Sequence, residues 1–445
     1  MYYDLTKGKI SKSLIMFTIP MIAGNLLQQF YNIADTLIVG HVLGKNALAA
    51  VGSAYTLMIF LTSIFLGLSM GAGALFSIYR GNDSDENLRI AVGQAFSLIM
   101  LVTIVLNIAV YILINPIMIF LQVPDEVYRG MKIYLLIIFI GLIATSLYNF
   151  FSCLLRALGN SVVPLIFLAV STVLNIGLDL LFVVVFPWGI KGAAIATVIS
   201  QYVSAIGIGI YVIKSCKELL PKRSEWRLDK KILKEIINLS SLTCLQQSVM
   251  NFGILMVQGL VNSFGTTIMA AFTAGVKIDT FAYLPVQDFG NAFSTFVAQN
   301  YGAEKHNRIR KGTREAFAIS IIFSIIISAL VCIFAAPLMK IFVSSKEVEV
   351  IAAGVKYLRI EGAFYCGIGC LFLLYGYYRA IKRAEMSVVL TVISLGMRVL
   401  LAYILSAIIG ETGIWLAIPI GWVLADITGI AYMKTREKTI FSKKG

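Results

Sequence analysis

The sequence has few charged residues. Only 13% of its 445 residues are Asp, Glu, Lys or Arg, 59% are hydrophobic, and the mean hydropathy is +0.87. A soluble domain carries roughly a quarter charged residues. The composition therefore excludes an ordinary soluble domain and predicts an all-α membrane protein that crosses the bilayer many times.

Residues and motifs of metal and nucleotide chemistry are also scarce. There are two histidines and six cysteines, with no CxxC pair, and no P-loop, HExxH, GxGxxG or EF-hand pattern. We therefore expect no cofactor. One nucleophile pattern, GxSxG, occurs at 67–71, within an apolar segment where Gly and Ser usually serve close helix packing. Because His41 and His306 are predicted in loops on opposite sides, an intramembrane serine hydrolase with Ser69 as nucleophile is only the enzyme-class alternative.

Long apolar segments are what the sequence does contain. About 20 helical residues span a bilayer, and the chain has twelve such segments. They lie at roughly 14–40, 47–79, 90–115, 131–155, 162–187, 190–213, 233–262, 267–300, 315–342, 354–378, 386–409 and 413–433. We predict twelve transmembrane helices.

The basic residues predict the orientation of these helices. With the N-terminus inside, 27 of the 37 Lys and Arg residues fall in cytoplasmic segments and 8 in outside loops, while Lys277 and Arg398 lie in helices. This asymmetry follows the positive-inside rule, so the net charge of +14 needs no nucleic-acid partner. We expect a protein of the cell membrane (plasma or inner membrane) with both termini in the cytoplasm. The first apolar run is too long for a signal peptide and has no cleavage site, so we expect it to stay as a helix.

The two halves of the chain resemble each other. The basic segment 214–234 separates six predicted helices from six, which gives an N-terminal lobe (1–213), a cytoplasmic linker (214–232) and a C-terminal lobe (233–445). Matching pieces are Gln28-Gln29 with Gln246-Gln247, LGKNALAAVG from Leu43 with FGTTIMAAFT from Phe264, Arg156 with Arg379, and Gly189 with Gly413. Because six is even, both copies enter from the same side. This predicts lobes related by a pseudo-two-fold axis along the membrane normal, with a cavity between them.

Polar residues of the first half gather at one predicted depth. Asp35 lies on the first helix, Asn175 and Asp179 share one face of the fifth, and Thr197 lies on the sixth. Counted at 1.5 Å per residue, Asp35, Asp179 and Thr197 lie roughly 7–12 Å inside the outer boundary. Such hard oxygen ligands suit Na⁺ as a bound metal ion, or a carboxylate pair that shares or loses a proton. The alternative is that these groups only hydrogen-bond helices together.

The second half does not repeat this set. The aligned positions hold Gly253, Arg398, Ala402 and Gly421, and an arginine there would repel a cation. We therefore predict an ion site in the N-terminal lobe alone. Lys277 and Asp279 of the eighth segment point to different faces; they could gate a cavity or form a structural charge network.

Other polar residues could line the central cavity. The candidates are Gln28, Tyr31, Asn32, Tyr148, Asn149, Gln287 and Asp288. Asp288 could attract cationic substrates, although tyrosines of membrane proteins often serve interfacial anchoring or packing instead. Pro20 removes a backbone hydrogen bond in the first helix, so it could allow that helix to bend or could be a static kink.

These features together resemble the multidrug and toxic compound extrusion (MATE) family of secondary transporters. The resemblance rests on the P…QQ-YN--D---VG--LG…LAAVG pattern from Pro20 to Gly52, on LLRALGN at Leu154–Asn160, on the Asn175/Asp179 pair and on GIKGAAIAT at Gly189–Thr197. It implies multidrug efflux of xenobiotics, with small organic cations or other amphipathic compounds exported by Na⁺ or H⁺ antiport through alternating access. It also implies the coupling residues Asp35, Asn175, Asp179 and Thr197, with bending at Pro20. We expect a monomer; a flippase of lipid-linked precursors with a related fold is the other alternative.

Overall fold

The computed structural model describes residues 3–120, 123, 125–226 and 228–442, and within them every regular element is helical. The α-helices are α1 (Ile10–Leu43), α2 (Lys45–Gly81), α3 (Asp85–Ile112), α4 (Ile114–Phe120), α5 (Asp125–Ala157), α6 (Val162–Asp179), α7 (Ile190–Ser215), α8 (Lys230–Asn262), α9 (Thr266–Gly302), α10 (His306–Ile333), α11 (Ala335–Phe342), α12 (Val348–Gly362), α13 (Tyr365–Ala380), α14 (Ala384–Ile409) and α15 (Glu411–Ser442). A π-helix, Leu180–Val185, continues α6, and two short 3₁₀ turns lie between α7 and α8. All twelve predicted segments fall on helices, the ninth on α10 with α11 and the tenth on α12 with α13.

Most of these helices can cross a membrane. Among the described residues, ten helices are long and apolar enough by themselves, and α12 with α13, which bend by 50° at their break, form an eleventh candidate span. Helix α9 has 37 residues and is long enough to form the twelfth membrane span. It carries the charged residues Lys277, Asp279 and Asp288, which lower its mean hydropathy. The prediction of an all-helical multi-pass membrane protein is confirmed.

The chain packs as two compact units. Unit 1 comprises Met1–Asp4 and Ile19–Cys244, and unit 2 comprises Leu5–Thr18 and Leu245–Gly445. The boundaries therefore fall within α1 and α8 rather than in the polar linker. The lobe boundaries given by the hydropathy pattern remain a prediction.

The same order of helices occurs in both units. Helices α2 and α9 each have 37 residues, α3 and α10 each have 28, and a short helix follows α3 and α10 alike. Left-handed backbone positions also recur 221 residues apart, at Gly44 and Gly265 and at Gly189 and Gly410. This regularity is what a duplication predicts. It also pairs Gly189 with Gly410, so the predicted match of Gly189 to Gly413 is wrong by three residues.

The GxSxG pattern is a helix-packing surface in unit 1. A Cβ atom added at Gly67 would lie 2.5 Å from Cys244 Cα, and one at Gly71 would lie 2.5 Å from Ser240 Cα. The Ser240 hydroxyl donates to the Leu68 carbonyl at 2.9 Å. Glycine thus lets the backbones of α2 and α8 touch, and Ser69 is fully buried in α2.

Candidate functional site

The candidate site of unit 1 begins at the end of α6. Asn175 and Asp179, one helical turn apart, are 2% and 0% exposed. Helix α6 ends at Asp179, where the π-helix Leu180–Val185 takes over. Short π-helical segments within α-helices often occur at functional sites. The Asp179 side chain lies in the interior of the unit at this change of helix type.

Helix α7 brings Thr197 to the same place. It follows Gly189, whose φ of 63° favours glycine. A Cβ atom at Gly192 would lie 2.8 Å from the Phe182 carbonyl oxygen, so glycine allows α7 to pack closely against the π-helix. Thr197 is 5% exposed, and its hydroxyl donates to the Ala193 carbonyl at 3.0 Å.

The Asn175 amide links the two helices. In the orientation that satisfies both ends of the amide, its nitrogen donates to Asp179 Oδ2 at 2.8 Å and its oxygen accepts from the Thr197 backbone N–H at 3.2 Å. This orientation is assigned from the hydrogen-bond pattern, as is usual for amides. Asp179 Oδ1 is buried and has no hydrogen-bond partner.

Helix α1 contributes Tyr31 and Asp35, which share a face because they are four residues apart. Tyr31 Oη lies 3.4 Å from Thr197 Oγ1. Since the Thr197 proton is directed to Ala193, the tyrosine is the donor. Asp35 is 7% exposed, and its Oδ1 is buried without a hydrogen-bond partner.

The charges of this site are all of one sign. Asp35 and Asp179 lie close enough to interact electrostatically with each other. Both carboxylates also lie close enough to interact electrostatically with the hydroxyls of Tyr31 and Tyr134. Within the described part of the chain, no Lys or Arg is among the groups that interact electrostatically with either carboxylate. The sequence did not single out Tyr134 of α5, because nothing distinguishes it among 20 tyrosines.

The structure thus brings Asp35, Asn175, Asp179 and Thr197 together in unit 1. Their predicted common depth in the membrane stays a prediction. Their role as ligands of an ion stays a prediction at this point.

The residues predicted to line a cavity have different surroundings. In unit 1, Gln28 is exposed, Asn32 donates to the Tyr55 hydroxyl at 3.1 Å, Tyr148 donates to the Pro164 carbonyl at 2.9 Å, and Asn149 donates to the Thr145 carbonyl at 2.9 Å. In unit 2, Gln287 is half-buried and Asp288 is 2% exposed. Pro20 is half-buried within the continuous helix α1. The predicted roles of these residues in substrate binding and bending stay predictions.

Unit 2 holds a different set of polar groups. Arg398 is buried, Ala402 is fully buried, and Gly421 packs against the backbone of Ser394; Gly253 lies among residues whose side-chain surroundings fall outside the described set. Lys277 is exposed and Asp279 is buried, as expected for different helix faces. Asp279 accepts hydrogen bonds from Tyr357, at 2.5 Å, and from Tyr365, two partners that the sequence did not reveal.

Comparison with known proteins places this arrangement in a family. The MatE family model matches the chain twice, over residues 20–181 and 242–404, one match in each half. Two curated relatives from Bacillus subtilis are the probable multidrug resistance protein YpnP, 31% identical over 97% of this chain and 96% of that protein, and the probable multidrug resistance protein YoeA, 26% identical over 94% and 92%.

A solved structure shows the same fold. The structure described as the outward-facing conformation of a multidrug resistance MATE family transporter of the MOP superfamily has a TM-score of 0.93 and 22% identity, covering 100% of this chain and 99% of the other. The paired family match covers more than half of the chain, and the relative at 31% identity is matched over nearly its whole length. The chain belongs to the MATE family of multi-pass membrane transporters.

Proposed function

We propose that this protein is a multidrug efflux antiporter that exports organic cations or other amphipathic compounds in exchange for H⁺ or Na⁺. In this proposal Asp35 and Asp179 bind the coupling ion in unit 1, and the protein works as a monomer in the cell membrane with both termini in the cytoplasm. The multidrug resistance names of its relatives support the substrate class. The basic cytoplasmic segments support the orientation.

One observation carries the coupling role. Asp35 and Asp179 are almost completely buried, interact with each other, and each keep one carboxylate oxygen without a hydrogen-bond partner. Two like charges in a low-dielectric interior disfavour joint ionisation, and an unpaired charge within a membrane costs at least ~2.5 kcal/mol. Since no Lys or Arg is among the groups that interact electrostatically with these two carboxylates, a cation or a proton is the natural ligand to neutralise them.

Ion binding can then be linked to transport. A transporter that alternates between two states is driven when the ion and the substrate stabilise opposite states. The ion reduces the repulsion between Asp35 on α1 and Asp179 on α6, so it favours the state in which these helices are close. Substrate favours the other state, and the inward ion gradient drives substrate release outside.

The Asn175 amide favours H⁺ over Na⁺ in this proposal. Its nitrogen is directed toward Asp179, and an N–H donor cannot coordinate a cation. Binding of Na⁺ by this amide would require the side chain to turn and break the hydrogen bonds to Asp179 and to the Thr197 backbone. A proton on either carboxylate requires no such change.

Efflux from proteoliposomes tests the proposal. Protein reconstituted with a fluorescent organic cation is given a pH gradient or a Na⁺ gradient in separate experiments. We expect efflux with the pH gradient, and its loss in Asp35→Asn and in Asp179→Asn, because the amide cannot take up the proton. Asp83→Asn, which changes an exposed acid between α2 and α3, is the matched control and should transport normally.

Each outcome is decisive. Wild-type efflux by both Asp35→Asn and Asp179→Asn would refute the assignment of the site. Efflux driven by Na⁺ alone would reverse the choice of ion. Absence of dye movement with either gradient, in protein that is correctly inserted, would refute the antiport of organic cations.

A further inference from the structure

The linker between α7 and α8 (214–232) is held against the first turns of α3 in unit 1. Arg89 Nε donates to both Glu225 carboxylate oxygens, at 3.0 and 2.9 Å, and the Arg89 Nη2 donates to Glu225 Oε1 at 2.8 Å. The Lys222 backbone N–H donates to Glu225 Oε2 at 2.8 Å. A bidentate pair of this kind is strong and fixes orientation as well as distance. Because Glu225 is buried, this pair holds the linker in one place on α3.

Two linker residues cover Gly93 of α3. A Cβ atom at Gly93 would lie 3.1 Å from Pro221 Cγ and 3.9 Å from Cε3 of the Trp226 indole. Gly93 lies three residues after Ile90, where the apolar segment of α3 begins, which is about 4.5 Å along the helix axis. The Trp226 ring therefore lies beside the edge of that apolar segment. Tryptophan is enriched at this depth in membrane proteins because its ring is apolar and its N–H is polar.

The face of α3 that the linker covers continues as an exposed apolar stripe. At 100° per residue, Ser97, Ile104 and Ile108 lie within about 60° of Gly93 around the helix axis. Ser97 is exposed, and Ile104 and Ile108 are 50% and 53% exposed. On a membrane-spanning helix, exposed isoleucines of this kind contact lipid. The linker thus lies at the end of a lipid-facing stripe.

The linker presents apolar and basic side chains together. Trp226 and Leu228 are 58% and 69% exposed. The exposed basic side chains around them in the linker are Lys214, Lys217, Lys222, Lys230 and Lys231. Basic residues combined with Trp and Leu at the edge of a bilayer are typical of surfaces that bind anionic lipids.

The acidic residues of the linker do not cancel this positive charge. Of its three acids, Glu225 pairs with Arg89, and Asp229 accepts hydrogen bonds from the Lys231 and Ile232 backbone N–H groups at 2.9 and 3.0 Å. Only the third acid, Glu218, is exposed. The linker surface is therefore complementary in charge to the phosphate groups of anionic lipids.

The positive-inside rule explains part of this arrangement. It accounts for lysines in a segment that lies in the cytoplasm, which is the orientation proposed above. It does not account for a tryptophan that is held beside a lipid-facing helix by a buried ion pair. Because Trp226 lies at the edge of the apolar segment, a lipid surface fits it better than a soluble protein does.

We propose that the linker is a binding surface for anionic phospholipids of the cytoplasmic leaflet. In this arrangement Trp226 and Leu228 enter the boundary between headgroups and acyl chains beside α3, and the linker lysines bind the lipid phosphates. The pair between Arg89 and Glu225 holds the surface at the right depth. This inference goes beyond the proposed antiport and uses none of its residues.

Quenching of tryptophan fluorescence by brominated phospholipids tests the proposal. The full-length protein is placed in nanodiscs of phosphatidylcholine and phosphatidylglycerol at equal mole fractions, with bromine on the acyl chains of one lipid or of the other. Since the chain has four tryptophans, the Trp226 signal is the difference between the wild type and Trp226→Phe. We expect the anionic lipid to quench this signal at least about twofold more than the zwitterionic lipid.

The role of charge is tested with a matched pair of variants. The first replaces three linker lysines, as Lys222→Gln, Lys230→Gln and Lys231→Gln. The second removes the same charge from exposed positions at the start of the chain, as Lys7→Gln, Lys9→Gln and Lys12→Gln. The first variant should bring the quenching ratio of the two lipids close to one, and the second should keep the wild-type ratio. Salt at about 1 M, which shortens the Debye length to about 3 Å, should act like the first variant.

The role of position is tested with Glu225→Gln. This change removes the charge that binds Arg89, so Trp226 should leave Gly93 and be quenched less by both lipids. Quenching equal to that of the wild type would overturn the role of the ion pair in placing the surface.

The remaining outcomes also decide. Equal quenching by both lipids in the wild-type protein would overturn the preference for anionic lipid. Absence of quenching by either lipid would show that Trp226 does not reach the bilayer and would leave the surface to a soluble partner. If the variant without the three linker lysines does not fold, an unchanged ratio at high salt would overturn the proposal. The measurement uses no gradient, so failure of the proposed antiport would not affect it.

Discussion

The contact between α2 and α8 gives a prediction that can be worked out from distances. In Gly71→Ala the new Cβ atom would lie 2.5 Å from Ser240 Cα and 2.6 Å from the Leu239 carbonyl oxygen, whereas ordinary contacts begin at 3.4 Å. Both neighbours are backbone atoms, so no side chain can move aside. The backbone of α8 must retreat by about 1 Å, which is an overpacking change of the kind that costs about 1–3 kcal/mol.

The retreat also affects a hydrogen bond. Ser240 donates to the Leu68 carbonyl at 2.9 Å, and a typical bond of this kind contributes about 0.5–1.5 kcal/mol. We therefore expect Gly71→Ala to lower the free energy of unfolding by roughly 2–4 kcal/mol. The measurement is the fraction of detergent-solubilised protein that stays monodisperse after heating, together with denaturant titration.

Gly396→Ala on α14 is the matched control. No heavy atom lies within 4 Å of a Cβ atom there, and alanine is favoured over glycine within helices by roughly 0.5–1 kcal/mol. The control should be as stable as the wild type or slightly more stable. Equal stability of Gly71→Ala and Gly396→Ala would refute the argument that glycine at position 71 is required by direct backbone contact.

Three further predictions concern other contacts. Thr197→Val removes the hydroxyl that Tyr31 contacts at 3.4 Å and should reduce gradient-driven efflux, while Thr197→Ser retains it. The hydrogen bonds and charge of Arg89 lower the pKa of Glu225 to about 2, below the usual value of 4.5. The stabilisation of the fold by this carboxylate is therefore complete above pH 4.5 and disappears as the pH falls toward 2. When unfolding is measured at each pH, the stability difference between the wild type and Glu225→Gln should be largest above pH 4.5 and should vanish near pH 2. Arg308→Ala loses hydrogen bonds to the carbonyls of Lys7 and Gly8 at 2.6 and 2.8 Å and should expose the N-terminal segment to limited proteolysis.

The controls for these predictions differ. Efflux of Thr197→Val at the wild-type rate would show that the hydroxyl is dispensable. A stability difference for Glu225→Gln that is independent of pH would show that the charge of the carboxylate does not matter. Arg310→Ala, two residues along α10, is the control for Arg308→Ala, and equal cleavage of both variants would show that the specific carbonyl contacts of Arg308 do not hold the segment.

The helical architecture could be predicted from the sequence because hydropathy acts locally. Each apolar segment must satisfy its backbone hydrogen bonds internally within a bilayer, so it forms a helix wherever its neighbours lie. The spacing of Asn175 and Asp179, four residues apart, likewise predicts that they share one helix face. The duplication was visible for the same reason, since the repeated pieces are linear patterns.

What the sequence could not decide depends on contacts between helices. Tyr134 joins the site of unit 1 because α5 packs against α7, and Tyr357 meets Asp279 because α12 packs on α9. The sequence by itself determined which segments are helices and which carboxylates must be buried; only the tertiary structure decided which partners those carboxylates meet, because side chains from distant segments come into contact only when the helices pack.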